Sequence, residues 1–153
     1  MALTVNTNSY VTRDEANAYF ADRLNSDTWD EATDTDKSKA LIQATQIIDQ
    51  KDFLGYKSVS TQALKFPRTG LVDDGIDVDG STVPKRVKDA VCELAIWCLS
   101  EDYTEPDDLA DYSRIKIAVL EVETRSSGTK PLPPMVTKLL SPFMMSGTRL
   151  VRG

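Results

Sequence analysis

A mainly α fold, a small helical bundle around a central helix at about 84–100, is predicted by three features of the sequence. The first is the run from Val83 to Leu99, where Val87, Ala90, Val91, Leu94, Ala95, Cys98 and Leu99 recur at helical spacing and form one broad apolar stripe. Trp97 and Ile96 widen that stripe, as suits a helix with neighbours on more than one side. Pro84 fits the first helical position, where its missing N–H costs nothing. The second is a pair of shorter amphipathic stretches upstream, each in need of this helix as a packing partner. The third is a turn-rich insert at about 70–83, which reads as a short β-hairpin. A strand at about 114–124 and an extended C-terminal tail complete the expectation, with residues 1–145 as one domain and 146–153 as the tail.

In chain order, Thr12 with Glu15 three residues later forms a capping box, and Val11 stands where a hydrophobic staple would. Ala16, Tyr19, Phe20 and Leu24 then mark the buried side of a helix ending near Arg23, and Trp29 anchors the polar connection that follows. A second helix starts near Asp34 or Thr35, where acidic residues suit the helix dipole. Its apolar side is Ala40, Leu41, Ala44, Ile47 and Ile48; Lys37, Lys39, Gln43, Gln46 and Asp49 take the solvated side. Gly55 breaks the chain after it.

Residues 57–64 are polar and irregular, and Pro67 biases Phe66 away from helix. In the insert, Asp79-Gly80 is a two-residue turn signal that sets Ile76 across from Val83, with Val78 beside the turn. Strands this short must lean on the core or on a neighbouring subunit, so Ile76, Val78, Asp79 and Gly80 are candidates for an inter-subunit contact. Beyond the central helix, 101–111 is acidic and reads as a loop. Alternating Ile115, Ile117 and Val119 favour strand over 114–124, with helix as the alternative. A short helix from Met135 to Leu140 precedes Pro142, and from Met144 onward no core pattern remains.

Charge and composition narrow the function. The net charge of −6 divides unevenly: residues 1–113 hold 22 of the 24 acidic and 11 of the 18 basic side chains, whereas residues 114–153 stand at +5. An acidic body with a basic tail suits docking on an acidic surface, against the alternative of ordinary surface scatter. There is no histidine, hence none of the commonest general base and metal ligand. Cys92 and Cys98, roughly 9 Å apart along one helix axis, cannot bridge and read as buried thiols. The aspartates at 73, 74, 77 and 79 fail as a calcium loop, because glycine stands at 75 and Arg86 where the closing glutamate belongs. No nucleophile with a base, no catalytic carboxylate pair and no phosphate loop is recognisable, so neither enzyme activity nor a cofactor is expected. Nothing approaches the roughly 20 apolar residues of a membrane span, and the N-terminus does not read as a signal peptide. The expected location is the cytosol, or a particle assembled there. Arg68 either ties the Phe66-Pro67 turn to a helix end or carboxylate, or faces a partner.

An ordered series of short motifs goes further. Ser9-Tyr10-Val11-Thr12 with Glu15-Ala16 and Ala18-Tyr19-Phe20, Trp29, Ala40-Leu41-Ile42-Gln43-Ala44-Thr45 with Ile48-Asp49, Gly55-Tyr56-Lys57, Gln62 with Phe66-Pro67-Arg68, Val83-Pro84 with Val87 and Ala90, and Glu93-Leu94-Ala95 follow one another. The series resembles the head-tail adaptor (connector) proteins of tailed bacteriophages, a group in which some members are labelled DnaT-like single-stranded-DNA-binding proteins. The resemblance covers residues 8–100 and the ending Arg149-Leu150-Val151-Arg152-Gly153.

It implies a virion structural protein of the neck, a ring subunit, typically one of twelve copies, under the portal of a DNA-filled capsid. Such a ring extends the DNA channel, lets DNA pass without specific binding, and presents a platform for a stopper or tail protein. Arg149, Leu150, Val151 and Arg152 would then dock on the portal, while Gln62, Phe66, Pro67, Arg68, Pro84, Leu94 and Trp97 would be structural motif residues. The alternative is a single-stranded-DNA-binding accessory protein, which needs basic grooves and stacking aromatics. The acidic body shows no such stripe in its sequence.

Overall fold

The structure is a computed structural model and describes residues 2–105 and 130–145. Among the described residues five helices carry the fold: α1 (Arg13–Ala21), α2 (Asp27–Glu31), α3 (Asp34–Asp49), α4 (Lys85–Ser100) and α5 (Pro134–Leu140). Four two-residue strands lie between α3 and α4: β1 (Tyr56–Lys57), β2 (Arg68–Thr69), β3 (Val72–Asp73) and β4 (Ile76–Asp77). β1 pairs antiparallel with β2, and β3 with β4. The mainly helical bundle around a central helix, with a short hairpin insert, is what the sequence leads one to expect.

α4 is central because its apolar stripe is wide enough to serve several partners. Val87, Ala90, Val91, Leu94 and Ala95 are fully buried. α3 and α5 pack on it most extensively, with α1 and α2 at its flank. Pro84 stands just outside the helix as its N-cap, one residue earlier than expected, and its carbonyl accepts from the Val87 and Lys88 N–H groups. Trp97 departs from expectation: it is 41% exposed, because the final turns of α4 present it away from the packed stripe.

α1 is held by the expected capping box. The Thr12 hydroxyl accepts from the Glu15 N–H at 3.0 Å, and the Glu15 carboxylate accepts from the Thr12 N–H at 2.8 Å. The same carboxylate meets Lys88 at 2.7 Å, joining α1 to α4. Leu24, expected on the buried side, is 85% exposed. α1 ends at Ala21, and Asn25 turns the chain with φ +58°, so the four-residue spacing from Phe20 no longer holds. Trp29 is buried as expected but lies in a short helix rather than an irregular connection. Its ring stacks on Phe20 at 4.6 Å, and its indole N–H donates to the Asn17 side chain at 3.0 Å.

The hairpin register also differs from expectation. The turn is Asp74-Gly75, at φ +51° and +79°, the positive-φ pair that a type I′ connection requires. Ile76 therefore opposes Asp73 and not Val83. The Asp79 carboxylate instead accepts from the backbone and hydroxyl of Ser81. Near the C-terminus, α5 matches the expected short helix, but the core continues past it. Phe143 is fully buried, and its carbonyl accepts from the Leu54 N–H at 2.8 Å. The Met145 N–H donates to the Asp52 carbonyl at 3.0 Å, so 143–145 belong to the body. The expected strand at 114–124, the tail boundary at 146 and the docking residues Arg149, Leu150, Val151 and Arg152 lie outside the described residues.

Candidate interaction surface

The segment that the sequence singles out, Gln62 with Phe66-Pro67-Arg68, is structural in its geometry. Phe66 is buried and stands edge-on to Tyr10, Phe53 and Phe143, with centroids 4.8–6.2 Å apart. It thus joins the N-terminal segment, the loop after α3 and the chain after α5. The Gln62 amide donates to the carbonyls of Leu64 and Pro67 at 2.8 and 3.0 Å and accepts from the Val59 N–H. Arg68 ties its turn neither to a helix end nor to a carboxylate. Its guanidinium donates to the carbonyls of Phe53, Leu54, Gly55 and Lys65, at 2.7–3.3 Å. Pro84 caps α4, Leu94 lies along it in the same core cluster as Phe66, and Trp97 is on its exposed side.

Two buried polar clusters escape a reading by motif. The Tyr10 phenol donates to Asp49 and accepts from the Phe66 N–H, while Asp49 also accepts from the Lys65 N–H at 2.8 Å. Asp49 was expected on the solvated side of α3; it is half-buried because this network draws it inward. Burial, then the Asp49 carboxylate, pushes the Tyr10 phenol far above its ordinary value.

The second cluster centres on Glu93, only 4% exposed amid the apolar stripe of α4. Arg23 grips it through two bonds of 2.7 and 3.1 Å, and the Tyr19 phenol donates to it at 2.6 Å. A buried carboxylate in such a pairing is compensated, which fixes α1 against α4. A lone acid inside an otherwise apolar helical face is the sequence signal for such a pairing. Cys92 and Cys98 are free, and burial pushes both thiols up to about 12, where a nucleophilic thiolate is scarce at neutral pH.

Concave features are equally plain. An open groove of about 720 Å³ runs between α3 and the end of α4, lined by Ile42, Gln43, Leu99 and Asp102 among others. It lacks the enclosing apolar walls that hold a small ligand. Among the described residues no group of three Cys, Asp or Glu side chains is placed to hold a metal ion, and no helix is long and apolar enough to cross a membrane.

Exposed apolar side chains are concentrated in the stretch of chain between α3 and α4. Leu54, Tyr56, Val59, Val72 and Ile76 are all exposed there, Tyr56 at 79% and Ile76 at 72%, and they make up most of the exposed large hydrophobics among the described residues. The segment is one continuous module: Val78 donates its N–H to the Leu71 carbonyl, and the Ser58 hydroxyl donates to the Gly80 carbonyl. Val78 is half-buried, so of the candidate contact residues Ile76 and Asp79 are exposed while Val78 and Gly80 hold the module together. Its charge is divided. Lys51, Lys57, Lys65 and Arg68 outnumber Asp52 in the first part, and Asp73, Asp74, Asp77 and Asp79 occupy the second. Arg68, Lys65 and Lys57 rest on backbone carbonyls, whereas Arg23, Lys85, Arg86 and Lys88 pair with carboxylates.

Residues 2–153 match the family described as "Putative DnaT-like ssDNA binding protein". The chain belongs to that family. No curated protein and no solved structure matches it. The family's description agrees with the single-stranded-DNA alternative better than with the adaptor reading, and no comparison names a phage neck.

Proposed function

We propose that the protein is a structural, non-catalytic head-tail adaptor (connector) subunit in a tailed-phage neck. It works as part of a homo-oligomeric ring, twelve copies in the arrangement that the resemblance implies, between portal and stopper or tail, with DNA passing through without specific binding. The observation that carries this reading is the 54–80 module: exposed apolar side chains on strands too short to stand alone, on a body that calls for neighbours. The acid excess supports it. Among the described residues 19 carboxylates face 13 cations, which repels a polyanion and suits a channel wall to which DNA does not adhere. Imaging the neck of assembled particles tests it. A ring of this subunit against the portal is the expected result, and particles with a complete neck that lacks the subunit would overturn it.

A second reading, a single-stranded-DNA-binding accessory protein, is favoured by the family match over residues 2–153. Exposed Tyr56 supplies a ring on which a base can stack, one of the elements such binding uses. Fluorescence anisotropy with a labelled oligothymidylate separates the two readings. Submicromolar binding that weakens steeply with salt selects the second; weak binding at physiological salt agrees with the first.

A further inference from the structure

We propose that Asp74 is a site of spontaneous backbone modification, where the Asp74-Gly75 turn converts through a succinimide to isoaspartate, while the fold protects the other Asp-Gly pair, Asp79-Gly80. The chemistry is intrinsic to the dipeptide. The Gly75 amide nitrogen attacks Cγ of the Asp74 carboxyl in its neutral form. The N–Cγ bond forms, the Cγ–O bond breaks, and the N–H proton leaves with the hydroxyl as water. A second water then opens the ring. Addition at Cγ restores aspartate, whereas addition at the main-chain carbonyl carbon leaves the chain running through Cγ, with a free α-carboxylate beside it. One water leaves and one enters, so the mass of the product equals that of the starting chain.

The two pairs are chemically alike, so only structure separates them. Asp74 and Gly75 are exposed at the hairpin tip. Among the described residues the Asp74 carboxylate makes no hydrogen bond or ion pair and the Gly75 N–H makes no backbone hydrogen bond, whereas Asp73 is tied to Arg86 at 2.6 Å. Nothing lies within 4 Å of where a Gly75 Cβ would stand, so the peptide between the two residues can rotate until its nitrogen faces Cγ. Only β3 and β4, of two residues each, resist that rotation, and opening so short a pair locally costs little. Asp79-Gly80 is restrained on both sides. The Asp79 carboxylate accepts from the Ser81 N–H at 2.9 Å and from its hydroxyl at 2.8 Å, which holds the electrophilic carbon. The Gly80 carbonyl accepts from the Ser58 hydroxyl, and a Cβ on Gly80 would lie 2.6 Å from Thr69 Cγ2, which holds the glycine. At position 74 the product adds a backbone atom to a turn that closes with two residues, so the Asp73–Ile76 pairing is lost.

The test ages the full chain at neutral pH and physiological temperature and locates isoaspartate by peptide mapping with electron-transfer fragmentation. Methyl transfer from labelled S-adenosylmethionine by a protein isoaspartyl methyltransferase gives an independent readout. Isoaspartate should accumulate at 74 about tenfold faster than at 79, because the 79–81 loop must first open. The same chain unfolded in urea should modify both positions at similar rates, which assigns the difference to the fold. Ser81→Ala releases the Asp79 carboxylate and should raise the rate at 79 several-fold while leaving the rate at 74 unchanged. A folded protein that modifies 74 no faster than 79, an unfolded chain that keeps the same preference, or a rate at 79 that Ser81→Ala does not move would each overturn the inference. None of these outcomes depends on which of the two functional readings holds.

Discussion

Leu94 and Trp97 sit three residues apart on one helix, and only burial separates their contributions. Leu94 is fully enclosed, so Leu94→Ala should cost about 2–5 kcal/mol through lost transfer energy and the cavity left behind. Trp97, 41% exposed, keeps much of its surface in water whether the chain is folded or not, and Trp97→Ala should cost no more than about half as much. Urea midpoints of the two variants check the order. The thiols give a pH dependence at the same scale. Burial raises Cys92 and Cys98 from 9.0 to about 12, so the fold favours the protonated form. Their contribution is fully present below pH 9 and is lost as pH rises towards 12. Melting temperature should fall across that window, and the fall should be shallower in Cys92→Ala; an equal slope in both proteins would contradict the assignment. Single residues were only partly legible in the sequence. Leu94 announces itself by periodicity, but periodicity cannot tell that the end of α4 leaves Trp97 uncovered, or that Glu93 has Tyr19 of α1 and Arg23, just past the end of α1, as partners.

Among elements, those whose signal is local were readable. The α1 capping box, the α3 stripe and α5 need nothing beyond neighbouring residues to declare themselves. The hairpin was not, since the sequence offers two Asp-Gly pairs and only backbone φ distinguishes the turn at 74–75 from the capped loop at 79–81. The loop after α3 shows how tightly the module is seated on the body. Gly55 has φ +71°, and a Cβ there would lie 2.2 Å from the Thr69 carbonyl oxygen, at the junction of β1 and β2. Gly55→Ala should therefore destabilise the fold by about 1–3 kcal/mol or more, since both the backbone angle and the β1–β2 contact must shift. Gly75→Ala shares the positive φ but meets nothing within 4 Å and should cost less. Thermal melts of the two variants measure the difference, and similar losses would show that steric closeness at Gly55 is unimportant.

At the scale of the whole molecule, the body closes on itself through residues far apart in the chain. Tyr10, Phe53, Phe66 and Phe143 share one aromatic cluster, and the Phe53–Met144 bridge brings the last described residues against the loop after α3. The body therefore extends to residue 145, and deletions on either side of that point should differ in kind. Removing 134–153 takes away Val136, Leu140 and Phe143, all fully buried, and should collapse the melting temperature. Removing only 146–153 takes away Arg149, Leu150, Val151 and Arg152, a segment whose sequence offers no helical face to the core. Circular dichroism and melting temperature should then stay nearly unchanged. On the adaptor reading the short deletion has a separate effect, because an apolar pair between arginines can enter a groove on a partner while the guanidinium groups meet its carboxylates. Particles carrying the truncated subunit should then fail to attach it to the portal, leaving them tailless or leaking DNA. Normal necks built from the truncated protein would remove the docking role from 146–153, whereas a large drop in melting temperature would place that segment in the core.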